Sequence, residues 1–124
     1  MSAPAAGTAL FAAFNATRGT AVAARVSLAD DAASRSKGLL GRDGLDAGEG
    51  LWIVPCPMIH TFFMRFPIDV LFLDKRLTVR RVLEDLKPWR LSPWVLSAHS
   101  VLELKGGVLR GSVKTGDRLE MRPA

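Results

Sequence analysis

Cysteine occurs once in these 124 residues, at Cys56, and histidine twice, at His60 and His99. One thiol cannot close an intramolecular disulfide framework. One thiol and two imidazoles are also too few for a closed structural zinc site built from Cys and His. Long apolar runs are missing: the longest lie around Val70–Leu73 and Leu51–Val54. A spanning helix needs about 18 consecutive apolar residues, so no membrane span is expected. No basic n-region precedes Leu10-Phe11. Residues 1–7 therefore read as a flexible terminus rather than a secretory leader, and a cytoplasmic location follows by default. No internal repeat occurs at any useful period.

What is present is the balance of an ordinary globular chain, 48% apolar and 23% charged, which excludes wholesale disorder, collagen-like and coiled-coil classes. A chain of this length forms one domain, here residues 8–124, and buries roughly two-thirds of its extended surface. The net charge is +5, yet residues 1–74 are close to neutral. The excess is concentrated in residues 75–90, where Lys75, Arg76, Arg80, Arg81, Lys87 and Arg90 face only Glu84 and Asp85. The basicity is a local patch.

Along the chain, Thr17-Arg-Gly-Thr20 supplies a hairpin loop between a strand starting near Thr8 and a returning strand, Ala21–Leu28. Asp30 or Asp31 caps a short helix to about Lys37, which Gly38 ends. Glycines at 38, 41, 44, 48 and 50 mark a long turned loop. Leu51–Val54 is a short buried strand stopped by Pro55-Cys-Pro57. Ile59–Met64 reads as extended, which would place Met58, His60, Phe62 and Met64 on one face and Thr61, Phe63 and Arg65 on the other. Ile68–Leu73 reads as a central strand, apolar on both faces after Asp69, with Leu77–Leu83 as its antiparallel partner. Ala98–Leu104 and Arg118–Met121 are further strands, with a turn at Gly106-Gly107. Many short strands with frequent turn signals predict a mainly β domain, a small strongly bent sheet or barrel-like closure with one or two short helices.

Several separated segments occur together in one order. They are Asn15–Thr20, Arg35-Ser-Lys-Gly-Leu-Leu-Gly-Arg42, Gly50-Leu-Trp52, Ile59–Asp74, Val101–Gly106 and Gly116-Asp117. In this the chain resembles domain of unknown function family 192, from about Ala9 to Met121. The resemblance implies a compact, mainly β single domain and supplies no reaction and no cofactor. Two positions depart from the pattern: Phe63 and Leu77 stand where glycine is common among such sequences. Leu77 adopts a positive φ less readily than glycine, so an altered turn is expected there.

The segment Cys56–Asp69 holds a thiol, an imidazole, a hydroxyl, a guanidinium and a carboxylate. A groove beside residues 60–69, with His60, Thr61, Met64, Arg65, Asp69 and Arg42 as contacts, would take a small ligand or a protein. The leading reading is thus a non-catalytic ligand- or protein-binding module. A small hydrolase or thiol-dependent enzyme would draw on Cys56, His60 and Asp69, though the spacing matches no catalytic signature and Gly111-Ser112 lacks the setting of a nucleophile elbow. Prolines on both sides of Cys56 make a rigid exposed loop, a setting for a reactive thiol, but a small buried or incidental cysteine is the better reading. Asp69 is expected to be shielded from water and to accept a hydrogen bond from nearby backbone or from Arg65. A metal site would need distant His99 to approach Cys56, His60 and Asp69, so no metal or cofactor is expected. The glycine-rich loop lacks the order and following helix of a phosphate loop. Arginines beside Trp89 and Trp94 could hold a nucleic acid or another anionic polymer, a weaker reading, because tryptophans among prolines and leucines more often cap a core.

Overall fold

The computed structural model describes residues 10–124; the expectations for residues 1–7 and for a strand start at Thr8 lie outside them. Seven strands and one helix follow in chain order. They are β1 (Leu10–Asn15), β2 (Thr20–Ala29), α1 (Ala32–Lys37), β3 (Glu49–Ile53), β4 (Ile68–Leu73), β5 (Val79–Leu86), β6 (Ser100–Lys105) and β7 (Leu119–Pro123). All seven strands join one sheet in the order β5-β4-β6-β3-β2-β1-β7, in which only β2 and β3 run parallel. The parallel pair is connected by α1 and the glycine-rich loop, as a crossover requires.

The sheet curls until its two edges nearly meet. Val79 donates to the Asp117 carbonyl, Gly116 to the Val79 carbonyl and Leu119 to the Leu77 carbonyl, linking the start of β5 to the start of β7. The result is a mainly β half-barrel, as the strand and turn pattern predicts.

Curling gives the sheet an inside and an outside, and both are buried against something. The inner cluster runs from edge to edge: Ala13, Ala23, Val26, Leu71, Leu73, Val79, Leu102, Leu104 and Leu119, closed by Leu109 and Val113 from the β6–β7 loop. The outer cluster joins Ile68, Val70, Phe72 and Val101 to Leu39 and Leu45 of the glycine-rich loop and to Ile59 and Met64. With a period of two, β4 sends Leu71 and Leu73 inward and Ile68, Val70 and Phe72 outward. Every residue of β4 is therefore buried, and each such large side chain contributes roughly 1.5–3 kcal/mol. β4 lies second from an edge, and β3 occupies the middle of the order.

The helix is six residues long and buries none of them. Of the two candidate caps the chain uses Asp31, whose carboxylate accepts from the Ser34 amide at 2.7 Å while Ser34 Oγ accepts from the Asp31 amide. The reciprocal box, not packing, holds the turn. Gly106 is required by a close approach: a Cβ there would stand 2.9 Å from the Pro67 carbonyl oxygen. Leu77 corrects an expectation. It holds φ at 65° as a glycine would, donates to the Asp74 carbonyl at 3.0 Å and packs its side chain against the inner cluster. Burial offsets the cost of the left-handed backbone, so the turn keeps its geometry.

Residues 59–64 do not form the extended strand expected. Their only ladder contact is an isolated bridge between His60 and Leu91. Phe63 sits at φ 65°, and the Met64 amide returns to the Thr61 carbonyl at 3.2 Å. The resulting turn replaces the flat face of a strand: Met64 is buried, while His60 and Phe62 are exposed. Among the described residues no helix is long and apolar enough to cross a membrane.

Candidate functional site

Asp69 is fully buried and its carboxylate is fully engaged. Oδ1 accepts from the Asp85 amide at 2.8 Å and the Gly107 amide at 2.9 Å, and Oδ2 accepts from the Leu109 amide at 2.9 Å. The register of β4 on β5 slips between Ile68 and Val70, and Asp85 stands at φ 55°; Asp69 takes up the amide that this irregularity frees. The sequence expectation is met. Of its two alternatives the backbone is the one used, and Arg65 reaches Asp43 Oδ1 at 2.6 Å on the exposed surface.

Two further candidates serve the scaffold. Arg42 grips both oxygens of Glu49 at 3.0 and 3.1 Å, and the Asp46 amide donates to the same carboxylate at 3.0 Å. Burial opposes ionisation of Glu49, but the Asp46 amide and Arg42 outweigh it and hold the carboxyl below its usual range. Thr61 is buried; its hydroxyl donates to the Lys87 carbonyl at 2.6 Å and accepts from the Arg90 amide at 2.9 Å. It clasps the loop after β5.

What remains gathers around a cavity of about 250 Å³ on the outer face of the sheet. The strand β6 points Val101 and Glu103 to this face, alternating with Leu102 and Leu104 inside. The segment from Arg35 to Leu40 forms one wall and Pro55 to His60 another, with Ile53, Met64 and Glu103 also lining it. Cys56, His60 and Met64 are thus brought together, whereas Asp69, Arg65, Thr61 and Arg42 do not border the space. Cys56 is half-buried, in keeping with the incidental-cysteine reading rather than a reactive exposed thiol, and Sγ donates to the Met58 carbonyl at 2.9 Å. Burial pushes its thiol above the usual value. Cys56, His60, His99 and Asp69 do not assemble into a metal-holding group; none of three or more ligands occurs among the described residues.

The residue that sequence reasoning missed is Glu103. It is 3% exposed, sits in register between Leu51 of β3 and Val70 of β4, and accepts no hydrogen bond from any described residue. Burial pushes its carboxyl up to about 8, so at neutral pH it is mostly protonated and a hydrogen-bond donor. In the sequence, alternation along Val-Leu-Glu-Leu does not say which face is covered. Only the loops that cover this face make it a buried acid.

Of the basic stretch, Arg80 donates through Nε to Ser97 Oγ at 3.2 Å and its Nη1 lies 4.0 Å from Asp74 Oδ2, and Lys87 pairs with Asp85 at 2.6 Å. Arg76 and Arg81 are exposed, and Arg90 hydrogen-bonds to the carbonyls of Pro88 and Trp89. Trp89 and Trp94 are 56% and 60% exposed, so they do not cap the core as expected.

Comparison with known proteins places these observations among relatives. The family model DUF192, described as "Uncharacterized ACR", matches residues 13–121. A UPF0127 protein from Pyrococcus furiosus is 33% identical over 112 residues, covering 86% of this chain and 94% of the relative. A protein of unknown function from Novosphingobium aromaticivorans superposes with a TM-score of 0.80 at 23% identity, over 97% of this chain and 91% of that one. A protein from Sinorhizobium meliloti, provisionally described as a transcription regulator, gives a TM-score of 0.77 at 27% identity, with 98% of both chains covered.

Proposed function

Because the chain belongs to the DUF192 family, whose description names no activity, we propose from the cavity itself that it is a non-catalytic module binding a small amphipathic organic acid. The observation that carries the reading is Glu103, a residue only 3% exposed whose carboxyl has no donor among the described residues and faces a space of about 250 Å³. That space equals about eight water volumes, enough for a short-chain acid. Leu39, Leu40, Ile53, Pro55, Met58, Ile59 and Met64 offer an apolar lining, and Arg35, Lys37 and His60 supply the polar groups around it. A protonated Glu103 donates to an acceptor oxygen, and the two cations complement a carboxylate.

The thiol-enzyme alternative loses support from the same geometry. A nucleophilic cysteine needs a lowered pKa and an oriented base. Burial raises the Cys56 thiol, and the carboxylate of Asp69 is spent on three backbone amides.

The test is a titration of branched and linear aliphatic carboxylic acids, followed by methyl NMR of Met58 and Met64 and by the thermal midpoint. Saturable shifts of both methyls are expected, lost in Glu103→Leu while its circular dichroism is unchanged. No shift with any member of the series, or equal shifts in Glu103→Leu, overturns the reading.

A further inference from the structure

Large apolar side chains are rarely left in water in clusters. Among the described residues the exposed ones are Leu10, Phe62, Phe63, Trp89, Leu91, Trp94 and Leu96. All but Leu10 lie on two segments, 57–63 and 87–97, that are bonded side by side. Trp89 and Arg90 exchange backbone hydrogen bonds with Thr61, Ser92 donates to the Ile59 carbonyl, and Val95 to the Pro57 carbonyl. The Ile59 amide donates to Ser92 Oγ at 2.9 Å. The apolar residues thus stand on a fixed strap.

Their presentation is specific. The Phe63 and Trp89 rings lie 4.7 Å apart, Phe62 and Trp89 6.2 Å, and His60 stacks on Phe62 at 5.1 Å. Phe63 and Trp89 each hold φ at 65°, a left-handed conformation that is unfavourable for a side-chain-bearing residue. Here no burial offsets that cost, since Phe63 is 71% exposed. Uncompensated strain of this kind clusters at working surfaces.

Cations flank the ridge along its length. Lys87 and Arg90 bracket Trp89, Arg65 follows Phe63, and Arg80 bonds Ser97 beside Leu96. Asp85, Asp43 and Asp74 answer Lys87, Arg65 and Arg80 there, while the Arg90 guanidinium bonds to the carbonyls of Pro88 and Trp89.

We propose that this strap is a membrane-docking surface that seats the protein on an anionic bilayer, with Phe63, Trp89, Leu91, Trp94 and Leu96 entering the headgroup–acyl boundary and the arginines and Lys87 contacting lipid phosphates. Aromatic and aliphatic side chains ringed by Lys and Arg are the composition that interfacial binding uses. Leu96, 90% exposed, and Leu91, 60% exposed, decide against single-stranded nucleic acid, where aromatic faces rather than aliphatic tips make the platform.

The full chain is mixed with vesicles of phosphatidylcholine alone and of phosphatidylcholine with one-third phosphatidylglycerol, and separately with oligo-dT. Sedimentation and tryptophan emission are read. Binding to the anionic vesicles with a blue shift, weakened by salt, is the expected result. Trp94→Ser and Leu96→Ser, both on exposed positions, are expected to weaken it by about tenfold each with circular dichroism unchanged. Failure to bind anionic vesicles at low salt, undiminished binding by the double variant, or capture of oligo-dT without vesicle binding overturns the proposal.

Discussion

The amide of Leu109 donates to Asp69 Oδ2 at 2.9 Å, joining residues forty positions apart. With Asp85 and Gly107 on the other oxygen, one carboxylate ties the β5 irregularity, the β6 turn and the loop that closes the inner cluster. Asp69→Asn keeps the shape but turns an N–H₂ toward an N–H donor. One buried amide is then unsatisfied and the charge assistance is lost, an expected cost of about 3 kcal/mol. Arg65→Ala removes only an exposed pair and is expected to cost less than about 1 kcal/mol. Urea unfolding of both variants measures the contrast, and equal losses would contradict this assignment.

The half-barrel and most strands were legible because they rest on local signals. Thr17–Thr20, Asp31 with Ser34, and Gly106-Gly107 each dictate a turn or cap through near neighbours. Ile68–Leu73 announces burial on both faces through its unbroken apolar run. The site was not legible in the same way. Which face of β6 is covered depends on where Leu39, Leu45, Ile59 and Met64 dock, and those contacts are long-range. Period-two logic put His60 and Met64 together in a strand that the Phe63 turn prevents. Glu103 carried no signal of its own within the strand Ala98–Leu104, because alternation does not say which face is covered.

Glu103 gives the protein a measurable pH signature. Its carboxyl is raised from 4.5 to about 8 by burial, so the folded state keeps a proton that the unfolded chain releases. Between those values the folded form binds more protons, and stability falls as pH rises. The contribution is fully present below about 4.5 and lost as pH climbs through 8. Glu103→Gln removes this titration. Its thermal midpoint is expected to vary less between pH 5 and 8, and to exceed that of the parent at the alkaline end. Parallel midpoint-against-pH curves for the two proteins would show that the group does not titrate as placed.

Cys56 is expected to be a slow thiol. Burial raises its pKa, and Sγ is already engaged with the Met58 carbonyl. The thiolate fraction at neutral pH is therefore below that of a free cysteine, whose pKa is about 8.5. Alkylation of the native protein by iodoacetamide should lag behind a free-thiol peptide and catch up in denaturant. Native alkylation faster than the peptide would restore the nucleophile reading.

Phe63 and Leu77 share a backbone conformation, φ 65° for each, and differ in what their side chains touch. Leu77 packs against the inner cluster, whereas Phe63 is 71% exposed and meets Trp89. Glycine at either position relieves the left-handed strain, worth roughly 1 kcal/mol after the flexibility it adds to the unfolded chain. At Leu77 that gain is outweighed by lost burial of roughly 2 kcal/mol, so Leu77→Gly is expected to destabilise by about 1 kcal/mol. At Phe63 little burial is lost, and Phe63→Gly is expected to raise stability by up to about 1 kcal/mol. The two substitutions should therefore move the unfolding midpoint in opposite directions. A fall for both would mean that Phe63 is held by packing on Trp89 and not strained, and would remove the strain argument from the docking strap.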